Sequence, residues 1–579
     1  MTAADYDTAV LGIPAAAVVD DDDSGATGGR SGPSQATLLV EMALERYRLL
    51  QGEDGRPYAV AKDGANIALP LRGRAGLRER LAKLYADQCG GTVPSSSALT
   101  DAVAVLEGHA HEADPEQVGL RLAATVTGVV IDLGTADGRC VVVGPDGWRV
   151  DTRSPVLFRR TALTSPLPEP VGGGHLDQLR HLLNVSDDGW QLLVGWSVAA
   201  LIPDLPHPIL ALLGEQGTAK STTARLLVDL IDPSPAPLRS CPRDIRQWAV
   251  TAAASWTVAL DNVSTISGWL SDTLCKAVTG DGIVDRALYT DSDVSVLSFR
   301  RVIAMTSIDA GALSGDLAER LLPVELARIP ADRRRTDEEV NRTFAAARPA
   351  ILGALLDLLA QVLATLPTIH LDTLPRMADF ARVLAAIDKI NGWSSLAAYV
   401  KSTDDVAESV VDSDPFATAV RDLGDWTGTA SALHELLTPD RPPQGWPKSA
   451  RAVAGALRRL VPALRTSGVN VSFDRVAGGR TITVEKGETP PDKKCEGQSP
   501  ASFASPIAAD LHKRDDANAA AGEPAGGPDD SNDANDGQDG HPNSKSGASI
   551  GPCALCGCST RRYGEGATGP LCQTCRAAS

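Results

Sequence analysis

Residues 209–222 read Ile-Leu-Ala-Leu-Leu-Gly-Glu-Gln-Gly-Thr-Ala-Lys-Ser-Thr. Five apolar residues suit a buried strand. The glycine-bearing loop that follows runs directly into an amphipathic stretch, Thr222-Thr-Ala-Arg-Leu-Leu-Val-Asp-Leu-Ile231. Strand, loop and helix in that order, with Lys-Ser at the loop's end, is the phosphate-binding P-loop pattern. Its backbone N–H groups and the positive helix end are aimed at phosphate oxygens. Gly214, Glu215, Gln216, Gly217, Thr218, Ala219, Lys220, Ser221 and Thr222 are the expected nucleotide cradle. Lys220 is expected against the β- and γ-phosphates, and the Ser221 hydroxyl on Mg²⁺. One position departs from the pattern: Ala219 stands where glycine is usual. Its extra methyl is expected to fit only with a negative φ. The competing reading is an ordinary strand-to-helix turn with a chance lysine.

A P-loop needs a second, acidic strand. Ser255-Trp-Thr-Val-Ala-Leu-Asp-Asn262 supplies one, ending in Asp261 as the second magnesium-side residue. Asn262 follows, where a carboxylate often polarises water. An amide orients water but takes no proton, so either slow hydrolysis or a base supplied from elsewhere is expected. Arg301-Val-Ile-Ala-Met-Thr306 reads as a further strand, with Thr306 as a sensor of the γ-phosphate and Ser307 second. Arg320 closes a short helix before another strand. It is a candidate arginine finger for a neighbouring subunit, an element worth about 10³–10⁵ in rate where it operates. A surface pairing with Asp316 at i,i+4 is the alternative.

The 579 residues carry a net charge of −18. That length suits three or four domains, and that charge argues against a general coat of basic residues, though not against local patches. No apolar run in the sequence looks long enough to span a membrane, and no signal pattern opens the chain. A cytoplasmic protein, away from membranes, is therefore expected. Five of the ten cysteines lie at the C-terminal end and the others are scattered, which does not suit a disulfide framework.

Seven segments are expected. Residues 1–35 form an acidic disordered tail. Residues 36–170 form an N-terminal α+β domain, with helices at 37–50 and 98–110 and strands near 119–122, 128–133 and 140–143. Asp132 within it reads as a strand-end turn. The P-loop ATPase domain covers 175–345, and a helical lid 346–410, beginning near Arg348-Pro349. Residues 415–487 read as a winged helix: helices 427–437 and 448–464, then strands 470–475 and 480–484. Lys448, Arg451, Arg458, Arg475 and Arg480, with Arg459 and Arg465, give this module a local basic face suited to DNA. Docking of a protein partner is the alternative use. Residues 488–550 are too polar to fold. The last segment, 551–579, holds Cys553, Cys556, Cys572 and Cys575. Two CxxC pairs separated by fifteen residues suit a closed, structural zinc ribbon. Cys558 is a substitute for Cys556.

The run from Gly214 through ALDNVSTISGWLSDTLCKAVTGDGIVDRALYTDSD (259–293), GDLAERLL (315–322) and PRMADFARVLAA (375–386) resembles the ATPase portion of phage and mobile-element primase–helicases. These are relatives of superfamily 3 helicases within the AAA+ class. The resemblance implies an α/β P-loop AAA+-like core acting as a helicase or helicase loader in DNA replication, with ATP, Mg²⁺ and Zn²⁺. It also implies a homo-oligomeric ring on single-stranded or forked DNA. No primase site is recognisable, so priming would fall to a separate chain. A DNA-gripping hairpin is expected before the sensor, with strands 286–290 and 294–300 joined at 291–293, although its tip is acidic. An ATP-gated DNA-binding regulator, or a scaffold that never turns ATP over, is the alternative.

Overall fold

The computed structural model describes residues 33–73, 75–280, 300–307, 315–443, 445–476 and 479–487, and the backbone of 282–286, 294–298, 550–552 and 559–561. The 1–32 tail, all of 488–549 and all the C-terminal cysteines lie outside the described residues. The described residues from 33 to 487 belong to one compact unit. A second unit, 494–579, contains one described antiparallel pair, Ile550–Pro552 with Ser559–Arg561.

The P-loop stretch is the middle of a parallel sheet. β1 (Ile209–Leu213) is followed by α1 (Lys220–Ile231), β2 (Leu238–Arg239), α2 (Ile245–Ala254), β3 (Thr257–Leu260), α3 (Gly268–Thr279), β4 (Val302–Thr306) and β5 (Leu321–Glu325). The spatial order is β2-β3-β4-β1-β5. β4 therefore lies between the P-loop strand and the Asp261 strand. Every β4 side chain is buried, as expected for parallel strands covered on both faces. Alternate residues divide between two cores. Leu210, Leu212, Ala304 and Val324 face α1 and a helical layer. Ile209, Ala211, Ile303 and Met305 face α2, α3 and the helices and strands of 430–484.

That helical layer is led by Asp187–Ala199, Asp337–Thr365, Ala378–Asn391 and Ser395–Ser413. The long helix starts at Asp337, capped by Thr336, well before Arg348-Pro349, where the sequence suggested a start. Pro349 sits inside it, and the Pro349 carbonyl accepts the Val171 N–H at 2.9 Å. Gly353 makes room for that crossing segment, since a Cβ there would lie 1.9 Å from the Val171 carbonyl oxygen. With its short 3₁₀ extension this helix, Asp337–Thr368, is long and apolar enough to cross a membrane, contrary to the sequence expectation. Yet 56% of its most apolar window is buried inside the protein. Its length comes from serving as a core helix.

The N-terminal region is mixed α and β. Gln35–Arg46 is helical, but Tyr47–Gly52 is a strand paired with Pro57–Ala61 rather than a continuation of that helix. An antiparallel meander runs through Leu122–Thr125, Gly128–Asp132, Cys140–Gly144 and Gly147–Asp151. Leu122, Ile131 and Val143 join the same core as the long helix. Asp132 is buried in an ion pair with Arg160, and its carboxylate also accepts the Gly134 N–H, so it serves as a structural anchor.

Candidate functional site

The parallel strands deliver their C-terminal ends to one edge, and the loop 214–219 rises there between β1 and α1. Gly214 holds φ +137°, and a Cβ on it would lie 2.5 Å from the Leu326 carbonyl oxygen, so only glycine fits. Gly217 is also left-handed, at φ +81°. Ala219 is left-handed too, at φ +65° and ψ +30°. This corrects the expectation of a negative φ: the loop keeps the glycine geometry and the alanine accommodates it. No side chain caps α1, whereas Ser186 and Asp244 cap the helices 187–199 and 245–254. The first amides of α1 thus face the loop opening, where the helix dipole favours an anion.

Lys220, Ser221, Asp261 and Thr306 meet at this edge. The Lys220 Nζ donates to the carbonyls of Gly214 and Glu215, at 2.6 and 2.7 Å. Partial burial pulls its pKa down, and the nearby Asp261 carboxylate opposes that shift. The Ser221 hydroxyl donates to Asp261 Oδ1 at 2.7 Å, and the Thr306 hydroxyl to the same oxygen at 2.6 Å. The Asn262 N–H donates to Thr306 Oγ1 at 2.8 Å, with Asn262 itself left-handed at φ +56°. Ser307 instead donates its hydroxyl to the Val263 carbonyl at 2.8 Å. Ser221 and Asp261 are hard oxygen ligands held side by side. They fit a Mg²⁺ that takes its remaining ligands from phosphate and water. Among the described residues no group of three or more His, Cys, Asp or Glu gathers as a metal site.

A cleft beside Asp261 is lined by Arg239, Cys241, Asn262, Ser264 and Thr265 among others, and Asp261 is its one carboxylate among the described residues. One residue that the sequence reading passed over stands at the loop. The Arg334 Nη2 lies 3.8 Å from where a Cβ on Gly217 would be. The signal was the run Arg333–Arg335 just before the helix cap Thr336. Arg320 is elsewhere. Its carbonyl accepts the Ile209 N–H at 2.8 Å, so it lies at the opposite edge of the sheet, about 16 Å from Gly214 at a strand rise of about 3.3 Å per residue.

The strands before β4 are Gly282–Arg286 and Val294–Ser298, antiparallel, with Arg286 opposite Val294. The first strand therefore ends where the sequence reading began it. Residues 287–293, including the acidic tip, lie outside the described residues. Further along, the order is helix Pro415–Asp422, strand Trp426–Gly428, helices Ala430–Leu437 and Ala450–Thr466, then the hairpin Val469–Val476 and Gly479–Lys486. The short strand Trp426–Gly428 joins that hairpin, where helix had been expected from Thr427. Lys448, Arg451, Arg458, Arg475 and Arg480 are all exposed. Arg458 stacks over the Phe473 ring, 4.8 Å from its centroid. Arg475 and Arg480 are directly opposite each other across the hairpin, an arrangement that repels unless an anion lies between them.

Residues 176–409 match the family model of the actinomycete integrative conjugative element replication protein, and residues 416–500 match the model of that protein's C-terminal domain. The two matches identify this region as that of a mobile-element replication protein. No curated protein sequence matches the chain. Among solved structures, the apo C-terminal region of NrS-1 is similar at 12% identity, covering 78% of this chain and 99% of that one, with a TM-score of 0.35. The JCV helicase is similar at 13% identity over 40% of this chain and 72% of that one, with a TM-score of 0.18. Scores this low carry no argument about the replication protein's activity.

Proposed function

We propose that this replication protein is an ATP-dependent DNA motor, a helicase or helicase loader acting in replication of its mobile element. The observation that carries the reading is the convergence of Lys220, Ser221, Asp261 and Thr306 beneath an uncapped helix. Ser221 and Asp261 would hold Mg²⁺, whose positive charge would offset that of the phosphates. Lys220 would turn from the loop carbonyls to the phosphates, while Thr306 fixes the Asp261 carboxylate. Arg334 would add positive charge from within the same subunit, and Arg320 from a ring neighbour. The basic face of 448–480 would hold the DNA backbone as a winged helix. Cys553, Cys556, Cys572 and Cys575 would close a structural zinc ribbon, and a separate primase would supply primers.

A second reading has one observation in its favour. The cleft beside Asp261 offers no other carboxylate as a general base among the described residues. ATP would then act as a switch for assembly on DNA, with little turnover. Steady-state ATP hydrolysis, with and without single-stranded and forked DNA, separates the two. DNA-stimulated turnover that Lys220→Ala abolishes supports the motor. Tight ATP binding without turnover on any DNA supports the switch, and full activity in Lys220→Ala removes the P-loop assignment altogether.

A further inference from the structure

The edge of the sheet opposite the P-loop carries a second cavity, of about 720 Å³, between the N-terminal region and the starts of β3 and β4. That size is in the range of small-ligand sites. Its inner wall holds three arginines from two parts of the chain. Arg159 follows the strand Leu157–Phe158, while Arg300 and Arg301 join the strand Val294–Ser298 to β4. Arg159 donates to the Ala253 carbonyl at 2.7 Å. Arg300 donates to the carbonyls of Pro203 and Thr279, each at 3.3 Å, and its Nε is buried with no hydrogen-bond partner among the described residues. Arg301, 7% exposed, donates to the carbonyls of Ala252 and Arg300.

Among the described residues neither Arg159 nor Arg300 has a carboxylate within ion-pair distance. Burial pushes the Arg301 pKa down to about 9, the Arg159 charge adds to that shift, and the Asp232 carboxylate opposes it. Arg159 is also lowered, by burial first. Both remain cationic at neutral pH. Burying like charges together is costly unless an anion offsets them. The carboxylates of this cavity, Glu53, Asp54 and Asp204, are exposed at its mouth, where they outnumber the single exposed Arg56, which pairs with Asp54 at 3.7 Å.

We propose that this cavity binds a phosphate-bearing ligand of nucleotide size, held by Arg159, Arg300 and Arg301. Guanidinium forks match phosphate oxygens in pairs. Trp256, Leu122 and Ala123 supply apolar wall for an organic group next to the phosphate. The acidic mouth disfavours a long polyanion lying across it, so the phosphate belongs to a free nucleotide or to the end of a DNA strand. Because Arg300 and Arg301 root the hairpin strand to the sheet, the ligand would tie the N-terminal region to the hairpin's base. This site does not depend on the P-loop reading.

The test uses the full-length Lys220→Ala protein, which weakens binding at the P-loop, and equilibrium dialysis with pyrophosphate and labelled ATP at concentrations below those the weakened loop takes up, as read from the Lys220→Ala, Ala124→Glu double variant. One remaining site is expected, weakened at least about tenfold by Arg300→Gln, the effect of roughly one lost charge-assisted hydrogen bond. Ala124→Glu, which sets a carboxylate in the cavity wall, is expected to abolish binding while the protein melts cooperatively. It decides the matter should Arg300→Gln fail to fold. A 5′-phosphorylated tetranucleotide that displaces ATP identifies a DNA end as the source; failure to displace identifies a free nucleotide. Absence of binding of any probe to Lys220→Ala overturns the proposal. Binding untouched by Ala124→Glu does the same.

Discussion

Ala219 is held at φ +65° where the loop geometry asks for glycine. A left-handed alanine costs about 1–2 kcal/mol, and part of that is offset because alanine restricts the unfolded chain more than glycine does. Ala219→Gly is therefore expected to stabilise the protein by about 1 kcal/mol, or roughly 1 °C in melting temperature for a unit of this size. Calorimetry on the variant checks this, and a lowered melting point would show that the methyl packs favourably. The loop was legible in the sequence because its chemistry is local: a strand, two glycines and Lys-Ser. Arg334 was not, because only folding brings the helix cap region against Gly217. His207 was equally silent in sequence. It is 1% exposed, edge-on to Trp256 with ring centroids 5.7 Å apart, and neither ring nitrogen has a partner among the described residues. Burial pushes its pKa down to about 3, with the Arg300 charge adding to the shift. Between about pH 3 and about pH 6.5 the unfolded chain binds a proton here and the folded one does not. Stability thus falls as pH drops through that window, by up to about 1.4 kcal/mol per pH unit. His207→Phe keeps an aromatic edge and is expected to flatten this slope in denaturant titrations at pH 7 and pH 5. An unchanged slope would remove His207 as its source.

At the scale of elements, Asp232 closes α1 and binds three parts of the fold at once. Its Oδ1 accepts from Arg121 Nε at 2.8 Å, and its Oδ2 accepts the N–H groups of Trp256 and Thr257, both at 2.9 Å. Arg121 is fully buried and also donates to the carbonyls of Asp132 and Ser165. One carboxylate thus fastens the meander to the P-loop helix and to the strand that ends at Asp261. Removing one partner strands the other charge, which costs about 3–5 kcal/mol. Arg121→Met is expected to lose that much by urea denaturation; a loss below about 1 kcal/mol would mean that water or another side chain takes over. No periodicity announced this pair, because it joins residues 111 apart. The same limit explains the misplaced boundaries. Residues 37–50 keep a helical apolar pattern throughout, but Tyr47–Gly52 gains a ladder with Pro57–Ala61, and tertiary pairing overrides local preference. The helix through Pro349 was read as starting there, since proline is at home in a first turn. Here Val171 takes up the Pro349 carbonyl and Gly353 admits the crossing segment, so the helix continues.

For the whole molecule, the two edges of the sheet divide the chemistry. The P-loop, Ser221, Asp261 and Thr306 occupy one edge, and Arg320 begins β5 at the other. Arg320 is therefore too far to serve the nucleotide of its own subunit, and a catalytic role for it requires a second copy whose lower edge meets the first copy's loop. That requirement has a consequence in mixtures. Lys220→Ala and Arg320→Ala subunits are each expected to be inactive alone. In a mixed ring, the Arg320→Ala subunit keeps its own Lys220 and receives Arg320 from a Lys220→Ala neighbour, so some sites are complete. Mixing the two at equal concentration should then restore part of the DNA-stimulated ATP turnover, rising with total protein as rings assemble. The recovery must disappear when one variant carries both substitutions. Mixed oligomers that form, by native mass spectrometry, yet show no recovered turnover would place Arg320 outside the reaction. Positive charge at the loop would then come from Lys220 and Arg334 of the same subunit, and a ring would no longer be needed for hydrolysis.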